Sequence, residues 1–262
     1  MTMRQPVKGA AAFSKTIAVL QLVADSEHPV TSAELVKITE MPRPTMRRIL
    51  KALVAEDMVV LGPNKTFTLG PRHIELARKS LDQNLLLQTA KPELDWLSSE
   101  TQAAVFIGIP MGSQFIIVGQ EANRPVFIEG CSHFHACAIA KSYLAFVPSD
   151  RQQRIIDSIE MPSLTERTPT CAEQLKAELE RTAADGYSVS DEQFRRGEKR
   201  FGACVVDVQS SPCAGIGFGV NTSETDAGRE SQLVSALLKC RDRINQKLQQ
   251  ANYERPTVES QK

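Results

Sequence analysis

The sequence predicts an α+β protein, with a winged helix-turn-helix at the front and a second domain built on an antiparallel sheet behind it. Three observations predict it. Residues 31–69 place a capped helix, a proline-bearing break, a basic helix and a strand–turn–strand in succession, the order of a winged unit. Beyond residue 100, strand-like apolar runs arrive as hairpins, with helices grouped between and after them. The chain of 262 residues is long enough for one large domain or two ordinary ones, each able to bury a core.

Composition narrows the class. An apolar content of 42% is ordinary for a globular chain and argues against long disorder. No apolar run approaches the roughly 20 residues of a membrane span. The start, Met1 to Pro6, has no apolar core of the kind a signal peptide carries. Six cysteines at 131, 137, 171, 204, 213 and 240, with no such signal, fit reduced thiols better than a disulfide framework. A cytoplasmic protein with no membrane partner is expected. The zero net charge conceals an asymmetry: residues 1–80 hold 12 Lys and Arg against 7 Asp and Glu, a net of +5. The whole chain holds 31 of each, so the remainder carries 19 against 24, a net of −5. A polyanion contact is therefore expected at the front.

Residues 1–12 read as a mobile arm and 13–71 as the winged domain. Its first helix runs from Ser14 to about Ala24, with Ile17, Leu20, Leu22 and Val23 as the apolar stripe. The second opens on a capping box: Thr31 caps the orphan N–H groups and Glu34 reaches back. Pro42 and Pro44 mark the turn and the first helical turn, where a missing N–H costs little. In the basic helix Arg43–Glu56, Met46, Ile49, Leu50, Leu53 and Val54 fall at i, i+3, i+4, i+7 and i+8, one core-facing stripe. Strands at 59–61 and 66–69 flank the turn Gly62 to Lys65. A helical pattern at 72–87, with Ile74, Ala77, Leu81 and Leu85, reads as a linker helix.

From 88 to 250 the second domain follows. Ala103–Ile109 and Gln114–Gly119 form a hairpin about Met111, Gly112 and Ser113. Helices are expected near Ala136–Phe146, Asp150–Ile159 and Ala172–Asp185, then strands near Tyr187–Glu192, Phe201–Val208 and Cys213–Val220. A long helix at Ala227–Gln250 closes the domain, and 251–262 read as a loose tail.

The basic helix carries the chemistry. Its outer surface presents Arg43, Thr45, Arg47, Arg48 and Lys51, with Arg47 and Lys51 one turn apart. Arginine in a recognition helix can grip guanine O6 and N7 with both fork nitrogens, and cations otherwise pair with phosphates. Lys65 at the wing tip is placed for a phosphate or minor-groove contact. Double-stranded DNA is the expected partner.

Other constellations carry less. Cys131, His133, His135 and Cys137 alternate along a short segment and could offer four zinc-type ligands. A helix beginning near Ala136 would turn Cys137 away from the others, so no metal and no cofactor is expected. No Gly-x-Ser-x-Gly elbow, phosphate-binding loop or His-Glu-x-x-His is present, and Asp191 and Glu192 are adjacent on an expected strand, facing opposite sides. An enzyme is not expected.

Phe13 to Leu20, Pro42 to Leu50 and Phe67 to Gly70 resemble the DNA-binding half of the isocitrate-lyase-regulator (IclR) family of bacterial transcription factors. His135 to Ala145 resembles the family's His-Ala-x-x-x-Gly-Lys-x-x-Leu-Ala segment, and Leu164 to Pro169, Asp185 to Gln193 and Gly197 onward follow in family order. The resemblance covers about residues 13–250. It implies a GAF-like C-terminal domain that binds a small metabolite, often an organic or aromatic acid, and a homodimer or homotetramer. It places the pocket at Ala138, Ile139 and Ala140, Asp191, Arg200, Gly217 and Gly219. Four of these depart from the family pattern. Ala140 replaces a glycine, Arg200 replaces a cysteine or small residue, and Gly217 and Gly219 replace serines. With Arg200 pointing inward, two lost hydroxyls and an added guanidinium imply a carboxylate effector larger than glyoxylate or pyruvate; the alternative is that Arg200 faces solvent beside Arg195, Arg196 and Lys199 in a basic loop. The alternatives are a zinc-responsive regulator, or a sensor or scaffold whose helix-turn-helix contacts protein.

Overall fold

Helix α1 (Ala11–Asp25) starts the first of two compact units, residues 1–83 and 84–262. The computed structural model describes residues 10–111, 114–120, 127–131 and 133–255. Most of the expected N-terminal arm, Gly112 and Ser113 of the hairpin turn, Ser132, and the end of the expected tail lie outside the described residues.

In the first unit, β1 (Val30–Thr31) leads into α2 (Ser32–Thr39) through the capping box. The Glu34 amide donates to Thr31 Oγ1 at 3.3 Å and the Thr31 amide donates to Glu34 Oε2 at 2.7 Å. Glu40 ends α2 in the left-handed region, at φ 55°, and its amide closes on Val36. Helix α3 (Arg43–Ala55) begins with Pro44 in its first turn and buries Met46, Ile49, Leu50 and Leu53 against Val19, Val23 and Leu35. Strands β2 (Val59–Leu61) and β3 (Thr66–Leu69) enclose a 3-10 turn at Pro63–Lys65, in which Asn64 and Lys65 both take positive φ. The sheet runs β1-β3-β2, all antiparallel, with Val59 opposite Leu69 and Val30 opposite Phe67. Gly70 then lets the chain pass the end of α3: a Cβ there would lie 2.1 Å from the Asp57 carbonyl oxygen.

Helix α4 (Arg72–Gln83) belongs to this unit, tied in where His73 Nε2 meets the Met58 carbonyl at 2.8 Å. The single helix expected over 72–87 is two helices. Asn84 takes extended backbone and its side chain accepts from the Leu87 amide at 3.2 Å, capping α5 (Leu85–Thr101).

The second unit is a six-stranded antiparallel sheet in the order β6-β5-β4-β9-β8-β7. Its strands are β4 (Val105–Met111), β5 (Gln114–Gln120), β6 (Phe127–Cys131), β7 (Ser188–Asp191), β8 (Glu198–Val206) and β9 (Pro212–Asn221). Helices α6 (Ala138–Leu144), α7 (Ser149–Ser158) and α8 (Ala172–Asp185) fall between β6 and β7, and α9 (Ala227–Gln250) ends the chain. Alternation along the strands sorts side chains to two faces. Val105, Ile107, Phe201, Ala203, Ile216 and Phe218 meet α5 and α9, where α9 buries Leu233, Leu237, Ile244 and Leu248. Each such aliphatic side chain contributes about 1.5–3 kcal/mol. The opposite face packs Phe115 and Ile117 with α6, α7 and α8.

Helix α6 is buried along its whole length because that face is floored with glycine. A Cβ on Gly202 would lie 2.5 Å from the Ala138 carbonyl oxygen, and one on Gly215 would lie 2.5 Å from that of Ile139. Ser188 and Ser190 on β7 donate to the Ala138 and Ala136 carbonyls at 2.5 and 2.7 Å. The helix start is thus pinned on the sheet by close backbone approach over the glycines and by two serine hydroxyls.

Candidate functional site

The first unit presents a cationic face. Arg43, Arg47, Arg48 and Lys51 on α3 are exposed, Thr45 is half-buried, and Lys65 at the wing tip is exposed. Among the described residues, no carboxylate forms an ion pair with any of these five cations. Arg43, Arg47 and Lys51 follow one another at four-residue spacing, a single row along the helix. The stripe of four buried apolar residues on the other side fixes the rotation of α3, so the row faces away from the core. Three cationic side chains in one solvated row suit a phosphate backbone or a base edge.

The second unit carries a cavity of about 370 Å³ on the α6 side of the sheet. Phe106 and Ile117 line it from the strands, Cys137, Ala138 and Ile139 from the start of α6, and Cys131 and His133 from the segment before it. The remaining wall is Phe194 and Arg195 from the loop between β7 and β8, with Arg200, Phe201 and Phe218. Arg200 is held from two sides. Its guanidinium lies 4.0 Å from the Phe194 ring centroid and its Nη2 donates to Glu198 Oε2 at 2.9 Å.

The loop that carries Phe194 is itself tied down. Thr165 and Thr168 hydroxyls donate to the Glu192 and Gln193 carbonyls at 2.7 and 2.6 Å. The buried Lys141 ammonium donates to Glu178 at 2.5 Å, to the Val189 carbonyl at 2.8 Å and to Gln193 Oε1 at 2.5 Å. Burial pulls the Lys141 pKa below the usual lysine value, while the Glu178 carboxylate opposes that shift.

Of the residues expected at the effector pocket, Ala138, Ile139 and Arg200 line the cavity together. The others do not. Ala140, the next residue of α6, is fully buried and does not line the cavity. Asp191 is paired with Arg167 Nη1 at 3.2 Å, because alternation turns Ser190 toward α6 and Asp191 away from it. Gly217 and Gly219 are not cavity wall either. A Cβ on Gly217 would meet the Phe201 carbonyl oxygen at 2.2 Å and Ile139 Cγ1 at 2.7 Å. One on Gly219 would meet Glu198 Oε1 at 2.5 Å and Arg200 Cγ at 3.3 Å. These two glycines make room for α6 and for the Glu198–Arg200 pair, so the space expected for a larger ligand is filled by the protein's own atoms.

The four alternating Cys and His residues do not converge. His135 is buried with Nε2 at 3.0 Å from the Pro162 carbonyl and Nδ1 without a partner, and burial lowers its pKa. Cys131, His133 and Cys137 share the cavity instead, and among the described residues no cluster of three or more metal-ligating groups forms. The neighbouring Cys131 side chain outweighs burial and, with the Ala140 amide, the Arg200 charge and the Ile139 amide, lowers the Cys137 pKa to about 7. The aromatic walls and the thiol pair went unassigned as cavity residues in the sequence; the pairing of Phe194 with an arginine six positions on was the available signal.

Comparison with known proteins bears on both units. The IclR helix-turn-helix domain matches residues 12–62 and the C-terminal domain of bacterial IclR transcriptional regulators matches residues 78–246. The chain is 26% identical over 207 residues to the HTH-type transcriptional regulator KipR of Bacillus subtilis, covering 77% of this chain and 82% of KipR. It is 30% identical over 237 residues to the HTH-type transcriptional regulator Rv1719 of Mycobacterium tuberculosis, covering 88% of this chain and 89% of that protein. A solved IclR homolog from Microbacterium hydrocarbonoxydans, complexed with 4-hydroxybenzoate, shares the fold, with a TM-score of 0.69 at 14% identity over 90% of this chain and all 100% of that one. With a matched helix-turn-helix in front of a matched effector domain, the chain belongs to the IclR family of bacterial transcriptional regulators.

Proposed function

We propose that this regulator binds operator DNA through α3 and the wing, and that a small aromatic carboxylate in the α6-side cavity controls its occupancy. Arg43, Thr45, Arg47, Arg48 and Lys51 enter or flank the major groove, and Lys65 meets the backbone or the minor groove. The unpaired cationic row on α3 supports the DNA half of this reading. A homodimer or homotetramer in the cytoplasm, reading two half-sites, completes it; among the described residues no helix is long and apolar enough to cross a membrane.

The observation that carries the effector half is the cavity wall: aromatic side chains beside the Arg200 guanidinium. Its volume of about 370 Å³ falls at the small end of the roughly 300–1,000 Å³ typical of ligand sites. Phe106, Phe194 and Ile117 suit the faces of a ring, and Arg200 suits its carboxylate. The ion pair with Glu198 uses Nη2, and a guanidinium carries five N–H donors, so others remain to donate to a ligand oxygen. The homolog that holds 4-hydroxybenzoate supports an acid of this class. Ligand and DNA are then linked through the ligand's different affinity for two arrangements of the protein.

A thermal-shift series on the full chain tests the effector reading, with benzoate and hydroxybenzoates set against pyruvate and glyoxylate. A ligand at 100 times its Kd adds about 2.7 kcal/mol. The expected outcome is stabilisation by an aromatic acid that Arg200→Ala abolishes. Stabilisation by glyoxylate alone, or by an aromatic acid equally in both proteins, would contradict it.

A further inference from the structure

We propose that Cys131 and Cys137 form an oxidation site inside the cavity, a dithiol that a hydroperoxide converts to a disulfide. Both residues line the same cavity, and the Cys131 side chain is near enough to act on the Cys137 thiol. Cys131 ends β6 and Cys137 stands immediately before α6, each anchored by a rigid element at its back. All six cysteines are thiols in this structure.

The charges around Cys137 favour the thiolate, which is the attacking species. Arg200 faces it across the cavity, and Lys141 on the next turn of α6 feels its charge. His133 stands on the same wall. Backbone amides of Ile139 and Ala140 add to the effect and bring Cys137 to about 7, within reach of neutral pH. The three core cysteines are the opposite case. Burial raises the Cys204 thiol far above its usual value and pushes Cys213 and Cys240 up to about 12. One fold thus holds one activated thiol, at Cys137, and three inert ones.

The chemistry balances with a hydroperoxide as the oxidant. The Cys137 thiolate attacks the distal peroxide oxygen, the O–O bond breaks, and the alkoxide or hydroxide leaves and takes a proton from solvent. Cys137 is then a sulfenic acid. The Cys131 sulfur attacks it, the S–O bond breaks, and the departing hydroxide takes the Cys131 proton and leaves as water. Two thiols are oxidised and one peroxide is reduced to an alcohol or water. The disulfide ties β6 to the start of α6 and removes the anionic sulfur beside Arg200. The proposal needs no organic-acid ligand, so it stands or falls apart from the effector reading.

The test uses the reduced full-length protein and hydrogen peroxide, followed by alkylation under denaturing conditions and peptide mapping. The expected result is loss of two of the six thiols, a disulfide joining positions 131 and 137, and recovery of both with dithiothreitol. Their oxidation should be more than roughly tenfold faster than that of Cys204, Cys213 or Cys240. Cys131→Ser keeps the size and removes the resolving sulfur. It should stop at a Cys137 sulfenic acid that dimedone captures, and Arg200→Ala should slow that capture at pH 7. Six intact thiols after peroxide, a disulfide that uses Cys171, or a Cys131→Ser protein with no dimedone on Cys137 would each overturn the proposal.

Discussion

In α3 the cations at Arg43, Arg47, Arg48 and Lys51 stand in solvent, while in α6 the ammonium of Lys141 is buried among Glu178, Val189 and Gln193. Both helices supply segments by which the chain resembles its family, and both are basic. Burial decides what the charge does. On α3 the apolar stripe faces in and the positive row is left for an external polyanion. On α6 every residue is buried, and the one cation ties α8, β7 and the following loop together from inside. An exposed basic row is thus available for binding, and a buried single lysine is a structural tie.

The largest expected effect comes from cutting that tie. Lys141→Met leaves Glu178 and Gln193 facing an apolar side chain. Breaking a buried pair from one side costs about 3–5 kcal/mol. Urea unfolding of the second unit should show it, and a loss below about 1 kcal/mol would mean the buried charge is no tie. On α3 the same kind of change should leave stability alone. Arg47→Ala is expected to shift unfolding by less than about 0.5 kcal/mol and to weaken operator binding by about 1–3 kcal/mol. Equal losses in stability and binding would erase the contrast between the helices.

A smaller effect sharpens the same comparison from the supporting helix. Thr31→Ala removes the cap of α2, which positions α3, at a cost of about 1 kcal/mol. The Thr31 amide and hydroxyl hold the Glu34 carboxyl below its usual range. A depressed carboxylate stabilises the fold above its unfolded pKa, and that contribution fades as pH falls through the lower folded value. The difference between wild type and Thr31→Ala in denaturant midpoint should therefore be full at neutral pH and narrow below pH of about 4. A difference independent of pH would remove Glu34 from the cap.

The winged unit was legible because its signals are local. The capping box at Thr31 and Glu34, the i, i+3, i+4, i+7 stripe of α3 and the strands at 59–61 and 66–69 each depend on neighbours in sequence. The helix at Ala227–Gln250 was equally plain, with Asp226 accepting from the Arg229 amide at its start. In the second unit two elements escaped. Helix α5 holds Pro92 in its interior, which removes one helical hydrogen bond and disguises the pattern, and the apolar run at Leu85 blends into the helix before it. Strand β6 is only Phe127–Cys131 and lies at the sheet edge, where pairing on one side suffices. The cavity was half legible. Ala138, Ile139 and Arg200 came through the family resemblance; Asp191 turns away from α6, and Gly217 and Gly219 face it but the protein's own atoms fill the space beside them. Phe194 and the Cys131–Cys137 pair come together only when the loop after β7 folds over the start of α6.

Selection of duplexes from a random-sequence pool by the full-length protein, followed by a salt titration of the winning sequence, tests the central claim most directly. Each phosphate neutralised by the α3 row or Lys65 should add about −0.9 to the slope of log K against log salt. The account predicts an enriched two-fold site with half-sites spaced by whole helical turns, a steep slope, and a shallower slope for Lys51→Ala. No enriched sequence with a flat slope would mean that the exposed cations of α3 do not read DNA, and the contrast with α6 would lose its functional meaning.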